Sequence, residues 1–147
     1  MRTSETAVVI GGAPEAVWAV LTDFPRYPEW SVFIQEIEGP LVVGGRILVT
    51  SGLPGQRVSQ SSPRIVSAER GRTFSWSGGV GPEGFFATRH EFILDSSAGG
   101  ATLFVHRQTF TDLLPRLVHS FPVGDQDGFE AFNKALKHRV EGRRPGR

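Results

Sequence analysis

The chain has 147 residues, a net charge of +1 and no cysteine. That length suits one hydrophobic core and leaves little room for a second, so residues 1–147 are expected to form a single domain. Balanced charge gives no long-range field for nucleic acid or acidic lipid, and the missing thiol excludes disulfides, thiolate metal sites and cysteine nucleophiles.

Thr6-Ala7-Val8-Val9-Ile10 is β-branched, short and stopped by Gly11-Gly12, which reads as a strand. Pro14 and Glu15 then suit the first turn of a helix, where a missing N–H costs nothing and a carboxylate meets the positive dipole end. Val17, Val20, Leu21 and Phe24 give that helix one apolar face, and Pro25 ends it. Arg26-Tyr27-Pro28-Glu29-Trp30 has room for a turn or a single helical turn. From Val32 to Phe110 the punctuation is that of antiparallel sheet. Strands are expected near Phe33–Glu38, Arg46–Ser51, Arg64–Glu69, Thr73–Ser77, Phe85–Leu94 and Thr102–Phe110, separated by glycine- and proline-bearing turns. Phe129, Phe132, Leu136 and Val140 change the period to that of an amphipathic helix. Residues Gly142–Arg147 form a basic tail expected to fray. A run of strands closed by one long helix argues for an α+β fold.

The two longest strands flank a loop at Ser96–Gly100. If the loop is symmetric about Ala98, Phe86 faces Phe110, Thr88 faces Gln108, His90 faces His106, Phe92 faces Phe104 and Leu94 faces Thr102, all on one side of the sheet. The other side holds Arg89 beside Arg107, with Glu91, and is the solvent face. The inward face therefore mixes aromatics with two histidines, a threonine and a glutamine. A dry core disfavours that mixture, whereas a cavity with apolar walls and a few placed polar groups accommodates it.

Other motifs lead elsewhere. Gly79-Val80-Gly81-Pro82-Glu83-Gly84 matches G-x-G-x-x-G, but a strand follows it instead of the helix that would take a pyrophosphate. His90 and His106 supply two metal ligands where even an open zinc site needs three, so no metal is expected. No G-x-S-x-G elbow is present. His90, His106 and Tyr27 are the candidate proton-transfer residues, with Asp23 or Glu29 assisting. The basic end, with Lys134, Lys137, His138, Arg139, Arg143, Arg144 and Arg147, reads as a solvated helix terminus. No stretch approaches the ~20 apolar residues that span a bilayer, and the first ten residues lack a run of signal-peptide length. A soluble cytoplasmic protein is the expectation.

Several phrases carry a resemblance from Ser4 to Glu141: Ala13-Pro14-Glu15-Ala16-Val17-Trp18 with Leu21-Thr22-Asp23-Phe24, Tyr27-Pro28-Glu29-Trp30, Thr73-Phe74-Ser75-Trp76, His90-Glu91-Phe92, and Phe129-Glu130-Ala131-Phe132-Asn133-Lys134-Ala135-Leu136-Lys137. In this order they resemble the SRPBCC superfamily, START-like proteins that include polyketide cyclase/dehydrase-like and birch-pollen-allergen-like members. The resemblance implies a helix-grip fold: a curved antiparallel sheet of six to seven strands wrapped on a long C-terminal helix, with two short helices after the first strand. It also implies a hydrophobic tunnel between sheet and helix. Members bind lipids, polyketides or hormones, and some catalyse cyclisation or dehydration. Similar sequences often have Trp-Asn-Pro-Phe where this chain has Trp30-Ser31-Val32-Phe33, an acid at Gln108 and a glycine at Asp112. The missing acid weakens proton transfer and leaves binding untouched.

The leading expectation is a binding protein for a lipophilic, aromatic or polycyclic small molecule. Trp30, Phe33, Trp76, Phe92, Phe104, Phe129 and Phe132 would form its apolar wall, and Thr88, His90, His106, Gln108 and Asn133 its polar contacts. The alternative is a cyclase or dehydratase in which His90 or His106 is the base and Tyr27 the acid, without metal or nucleotide cofactor. A third reading is a protein or RNA interaction module. The expected chain is a monomer or homodimer, with no DNA partner and no membrane span.

Overall fold

A computed structural model describes residues 2–80, 86–112 and 126–142. Strand β1 (Arg2–Ile10) leads through Gly11-Gly12 into α1 (Pro14–Leu21), a 3-10 turn (Phe24–Arg26) and the single-turn α2 (Tyr27–Trp30). Strands β2 (Phe33–Glu38), β3 (Leu48–Gly52), β4 (Ser59–Ser61), β5 (Arg64–Glu69), β6 (Thr73–Val80), β7 (Phe86–Ser96) and β8 (Thr102–Asp112) follow, and α3 (Gln126–Glu141) comes last. Pro14 does sit in the first turn of α1 with Glu15 beside it. The helix closes where Thr22 Oγ1 donates back to the Trp18 carbonyl at 2.7 Å.

Eight strands are described rather than six or seven. The addition is β4, a Ser-Gln-Ser edge strand exposed throughout, with no apolar alternation to announce it. Five strands pair antiparallel in the order β1-β8-β7-β6-β5, and three in the order β2-β3-β4. The sheets meet where residues 44–47 run along β5: Gly44 N–H donates to the Ile65 carbonyl at 2.8 Å, and Ile65 N–H donates to the Gly45 carbonyl at 2.9 Å. One curved antiparallel surface results, and α3 packs across β1, against α1 and the start of β2. The helix-grip expectation holds.

The β7–β8 register differs from the expected one by two residues. The loop is centred on Gly99, where Gly99 and Gly100 take φ of 70° and 77° and Ser97 N–H donates to the Ala101 carbonyl. Left-handed backbone there needs glycine. His90 therefore faces Gln108, Phe92 faces His106 and Thr88 faces Phe110. On the outer side the shift replaces an arginine–arginine pair with Glu91 opposite Arg107, and Arg107 also reaches Glu5 at 2.7 Å. A shift of two preserves the face of every side chain, so the expected inward set from Thr88 to Phe110 stays inward.

The core gathers Ile10 from β1, Val17 and Leu21 from α1, Tyr27 from α2, Phe74, Phe92 and Phe104 from the sheet, and Phe132 and Leu136 from α3, all buried. β7 is described from Phe86; residues 81–85, which hold most of the G-x-G-x-x-G segment and the first residue of the expected Phe85–Leu94 strand, lie outside the described ones. The same is true of Arg143–Arg147 in the basic tail. Among the described residues no helix is long and apolar enough to cross a membrane.

Candidate functional site

The inward face of β6, β7 and β8 divides along its length. Toward the Thr102 end, Phe74, Phe92, Leu94 and Phe104 are sealed under α1 and α3. Toward the other end, Trp76, Gly78, Thr88, His90 and Gln108 border a cavity of about 950 Å3. Its far wall comes from β2 and β3 (Phe33, Ile34, Val49, Ser51), its floor from the β4–β5 region (Ser59, Ser61, Ser62, Pro63), and Gln126, Asp127 and Phe129 reach it from the start of α3. Arg46 and Arg64 stand at its edge, their guanidinium groups donating to the Ser62 and Gly44 carbonyls. The hollow is thus bounded by the two sheets, with only the first turn of α3 at its margin; the expectation of a tunnel between sheet and helix is corrected to this extent.

Six of the residues expected from sequence line this cavity together: Phe33, Trp76, Thr88, His90, Gln108 and Phe129. Six others sit elsewhere. Phe92, Phe104 and Phe132 are core, and Trp30 is half-buried against Tyr27 and Phe132, with ring centroids 4.8 and 5.5 Å away. His106 and Asn133 are buried one layer behind the wall. Tyr27 is also enclosed; its hydroxyl donates to the Leu21 carbonyl, and burial holds the phenol well above its usual range. The two-residue register shift and the landing site of α3 account for these placements, since both decide which inward positions are covered.

His106 and Asn133 nevertheless bear on the wall. Asn133 Nδ2 donates to Thr6 Oγ1 at 2.8 Å, its Oδ1 lies 3.2 Å from His106 Nδ1, and His106 Nε2 meets His90 Nε2. Four side chains from β1, α3, β8 and β7 form one line that ends at the cavity. Phe129 stacks on His106 at 4.2 Å between centroids and Trp76 stacks on His90 at 4.9 Å, so both imidazoles are clamped between rings. Burial lowers both pKa values. His90 falls well below 6.5, with His106 as a further cause, and His106 falls to about 3 despite the opposing Asn133 bond. Both rings are neutral at pH 7.

The amide of Gln108 on the wall leaves an atom without a partner. Gln108 Oε1 is shielded from solvent and accepts no hydrogen bond among the described residues, a state that costs about 1–3 kcal/mol unless something else supplies the donor. Phe33 is unusual in another way: its φ of 74° is rare for a bulky residue and places its ring against Phe129, at 5.8 Å. Sequence reasoning missed the serine-rich floor and both arginines, because isolated serines on short strands carry no periodic signal. Among the described residues no group of three or more His, Asp or Glu side chains is placed to hold a metal ion.

The comparisons with known proteins agree with this architecture. A sequence profile described as polyketide cyclase/dehydrase and lipid transport matches residues 1–141. No curated protein sequence matches. Among solved structures, protein MLL2253 from Mesorhizobium loti superposes with a TM-score of 0.70 at 19% identity, over 96% of this chain and 98% of that one. The major latex-like protein 151 of Panax ginseng gives 0.68 at 13% identity, over 96% and 95%. A point mutant of norcoclaurine synthase from Thalictrum, in complex with a transition-state analogue, gives 0.72 at 10% identity, over 96% and 94%. At such identities these structures speak for the shared fold, while the profile match over nearly the whole chain places the protein in the polyketide cyclase/dehydrase and lipid transport family of the SRPBCC superfamily.

Proposed function

We propose that this protein binds a lipophilic, aromatic or polycyclic small molecule in the cavity between its two sheets. The observation that carries the reading is a hollow of about 950 Å3 whose wall sets Phe33, Trp76 and Phe129 beside His90 and Gln108. That volume lies at the upper end of the usual range for small-molecule sites, and apolar rings with a few placed polar groups are their usual furnishing. Apolar surface buried at about 25 cal/mol per Å2 supplies the affinity, and the serines opposite favour a ligand with polar substituents at one edge.

The acid–base reading has one observation in its favour, a neutral histidine on the cavity wall. Basicity argues against it. A general base works best with a pKa near the operating pH, and burial takes His90 well below that. Tyr27, the acid of that scheme, is enclosed in the core. The interaction-module reading loses cations: Lys137 is engaged by Glu141 and the Val9 carbonyl, and Arg139 by Glu29.

Gly78 supplies a direct test. A Cβ there would stand in ordinary van der Waals contact, 3.6 Å from Pro63 Cβ, 3.7 Å from Thr88 Oγ1 and 3.9 Å from Pro63 Cα, so a larger side chain is admitted at this cavity-lining position. Native mass spectrometry of gently purified protein, followed by solvent extraction, is expected to find an apolar compound on the native chain and none on a folded Gly78→Leu variant. An equal load on both proteins would place the ligand elsewhere. An empty native chain that also takes up no 1-naphthol or naphthalene would defeat the reading.

A further inference from the structure

The line of side chains behind the cavity has a direction. Asn133 spends its amide N–H on Thr6, so the atom it turns to His106 is the carbonyl oxygen, an acceptor. His106 Nδ1 must then carry the proton. A neutral imidazole protonated at Nδ1 has a bare Nε2, and that nitrogen faces His90 Nε2. His90 Nε2 supplies the proton, which leaves Nδ1 of neutral His90 as a bare lone pair. His90 is 7% exposed, lines the cavity, and its Nδ1 has no partner among the described residues. The residue paired with it across the sheet is Gln108, whose shielded Oε1 is also an unpartnered acceptor.

We infer that the cavity selects ligands that present a hydrogen-bond donor, a phenolic or alcoholic hydroxyl, to the acceptor His90 Nδ1, with Asn133 as the positioning residue that fixes its polarity. This rests on the small-molecule reading above and names the chemical class it takes. A ligand that offers only a carbonyl or an ether oxygen meets the His90 lone pair and leaves that acceptor buried and unpaired. Rejection of an analogue lacking the hydrogen-bonding group is the strong form of discrimination, because the penalty falls on the site's own polar atoms. The neighbouring groups do not upset the chain: the rings packed on the two imidazoles are Trp76, Phe92, Phe104, Phe129 and Phe132, all neutral.

The test compares three probes of one shape, 1-naphthol, 1-methoxynaphthalene and 1-acetylnaphthalene, by quenching of tryptophan fluorescence in the full chain. The native protein is expected to bind 1-naphthol at least about tenfold more tightly than either of the others. Asn133→Leu, which removes the polarity of the line at nearly constant volume, should bring the three affinities to within about threefold. Long-range 1H–15N spectra of histidine-labelled protein read the tautomers without any ligand. The expected pattern is His106 protonated at Nδ1 and His90 at Nε2, with the His90 assignment lost in Asn133→Leu, an outcome that a purely structural role for Asn133 would not produce. Equal binding of all three probes overturns donor selection but leaves the cavity as a binding site. Preference for the ketone, or His90 protonated at Nδ1, overturns it by reversing the chain. Failure of all three to bind removes the small-molecule reading and this inference together.

Discussion

The two halves of one sheet face, Phe74–Phe92–Phe104 and Trp76–His90–Gln108, share strands, pleat and direction yet do different things. In the first, the rings lie flush, Phe74 and Phe92 stacked at 4.7 Å and Phe92 and Phe104 at 6.1 Å, and Phe132 of α3 closes over them. In the second, α3 has only its first turn to offer, and the face opens onto a hollow. Side-chain chemistry follows cover. Aromatic carbon stands where the helix seals the sheet, and acceptors and hydroxyls stand where it does not. The cost of an unpaired buried polar atom enforces that division, and the histidine pair straddles its boundary.

The sharpest break of this comparison is a truncation in each half. Phe92→Ala removes a fully buried ring and should cost about 3–5 kcal/mol, read as a fall in the denaturation midpoint. Thr88→Ala, on the same strand and face but at the cavity, gives up one long bond to the Gly78 carbonyl at 3.4 Å and should cost less than about 1 kcal/mol. Similar losses at the two sites would mean that the hollow is filled by packed side chains in solution.

Acid tests the boundary itself. Above pH 6.5 the histidines are neutral in both folded and unfolded chains, so the pair leaves stability unchanged. Below it the unfolded chain takes up protons that the buried pair refuses, His106 until about pH 3. Stability therefore falls as the pH drops, by up to about 1.4 kcal/mol per pH unit for each histidine. The charges on the cavity margin are Arg46, Arg64 and Asp127; the two guanidinium groups oppose protonation as burial does, and Asp127 favours it. Urea midpoints between pH 7 and 4.5 should drop much more steeply for the native chain than for a His90→Phe/His106→Leu variant. Parallel curves would show that the pair is solvated.

Much of this was legible in the sequence. Period-two alternation placed Thr88, His90, Phe92, Phe104, His106 and Gln108 on one inward face, and the two-residue error in register left that intact because parity decides the face. The hint to the true register was there: the expected pairing set Arg89 beside Arg107, whereas the observed one sets Glu91 there, the better cross-strand neighbour. What could not be read is the end point of the helical cover. Cavity or core at His90 and at His106 depends on where Phe129 lands, and that is fixed by packing between segments far apart in the chain. The Ser59–Ser61 strand stayed invisible because an exposed polar edge has no pattern to show.

A further break concerns the hinge between the halves. Gly128 in the first turn of α3 is buried, and a Cβ there would stand 2.5 Å from the Phe33 ring. Phe33 cannot yield cheaply. Its φ of 74° leaves a bulky residue little backbone freedom, its ring is braced by Phe129, and it separates the main cavity from a smaller hollow of about 410 Å3 beside Val32 and Pro54. Gly128→Ala should therefore destabilise by about 1–3 kcal/mol through overpacking, despite the better helix propensity of alanine. Adding Phe33→Leu should recover most of that loss, because a smaller side chain vacates the contact. If the double variant is no more stable than Gly128→Ala alone, the requirement for glycine lies in the backbone approach of α3 to β2, and Phe33 is a bystander rather than the wedge that holds the helix start off the sheet and keeps the cavity open.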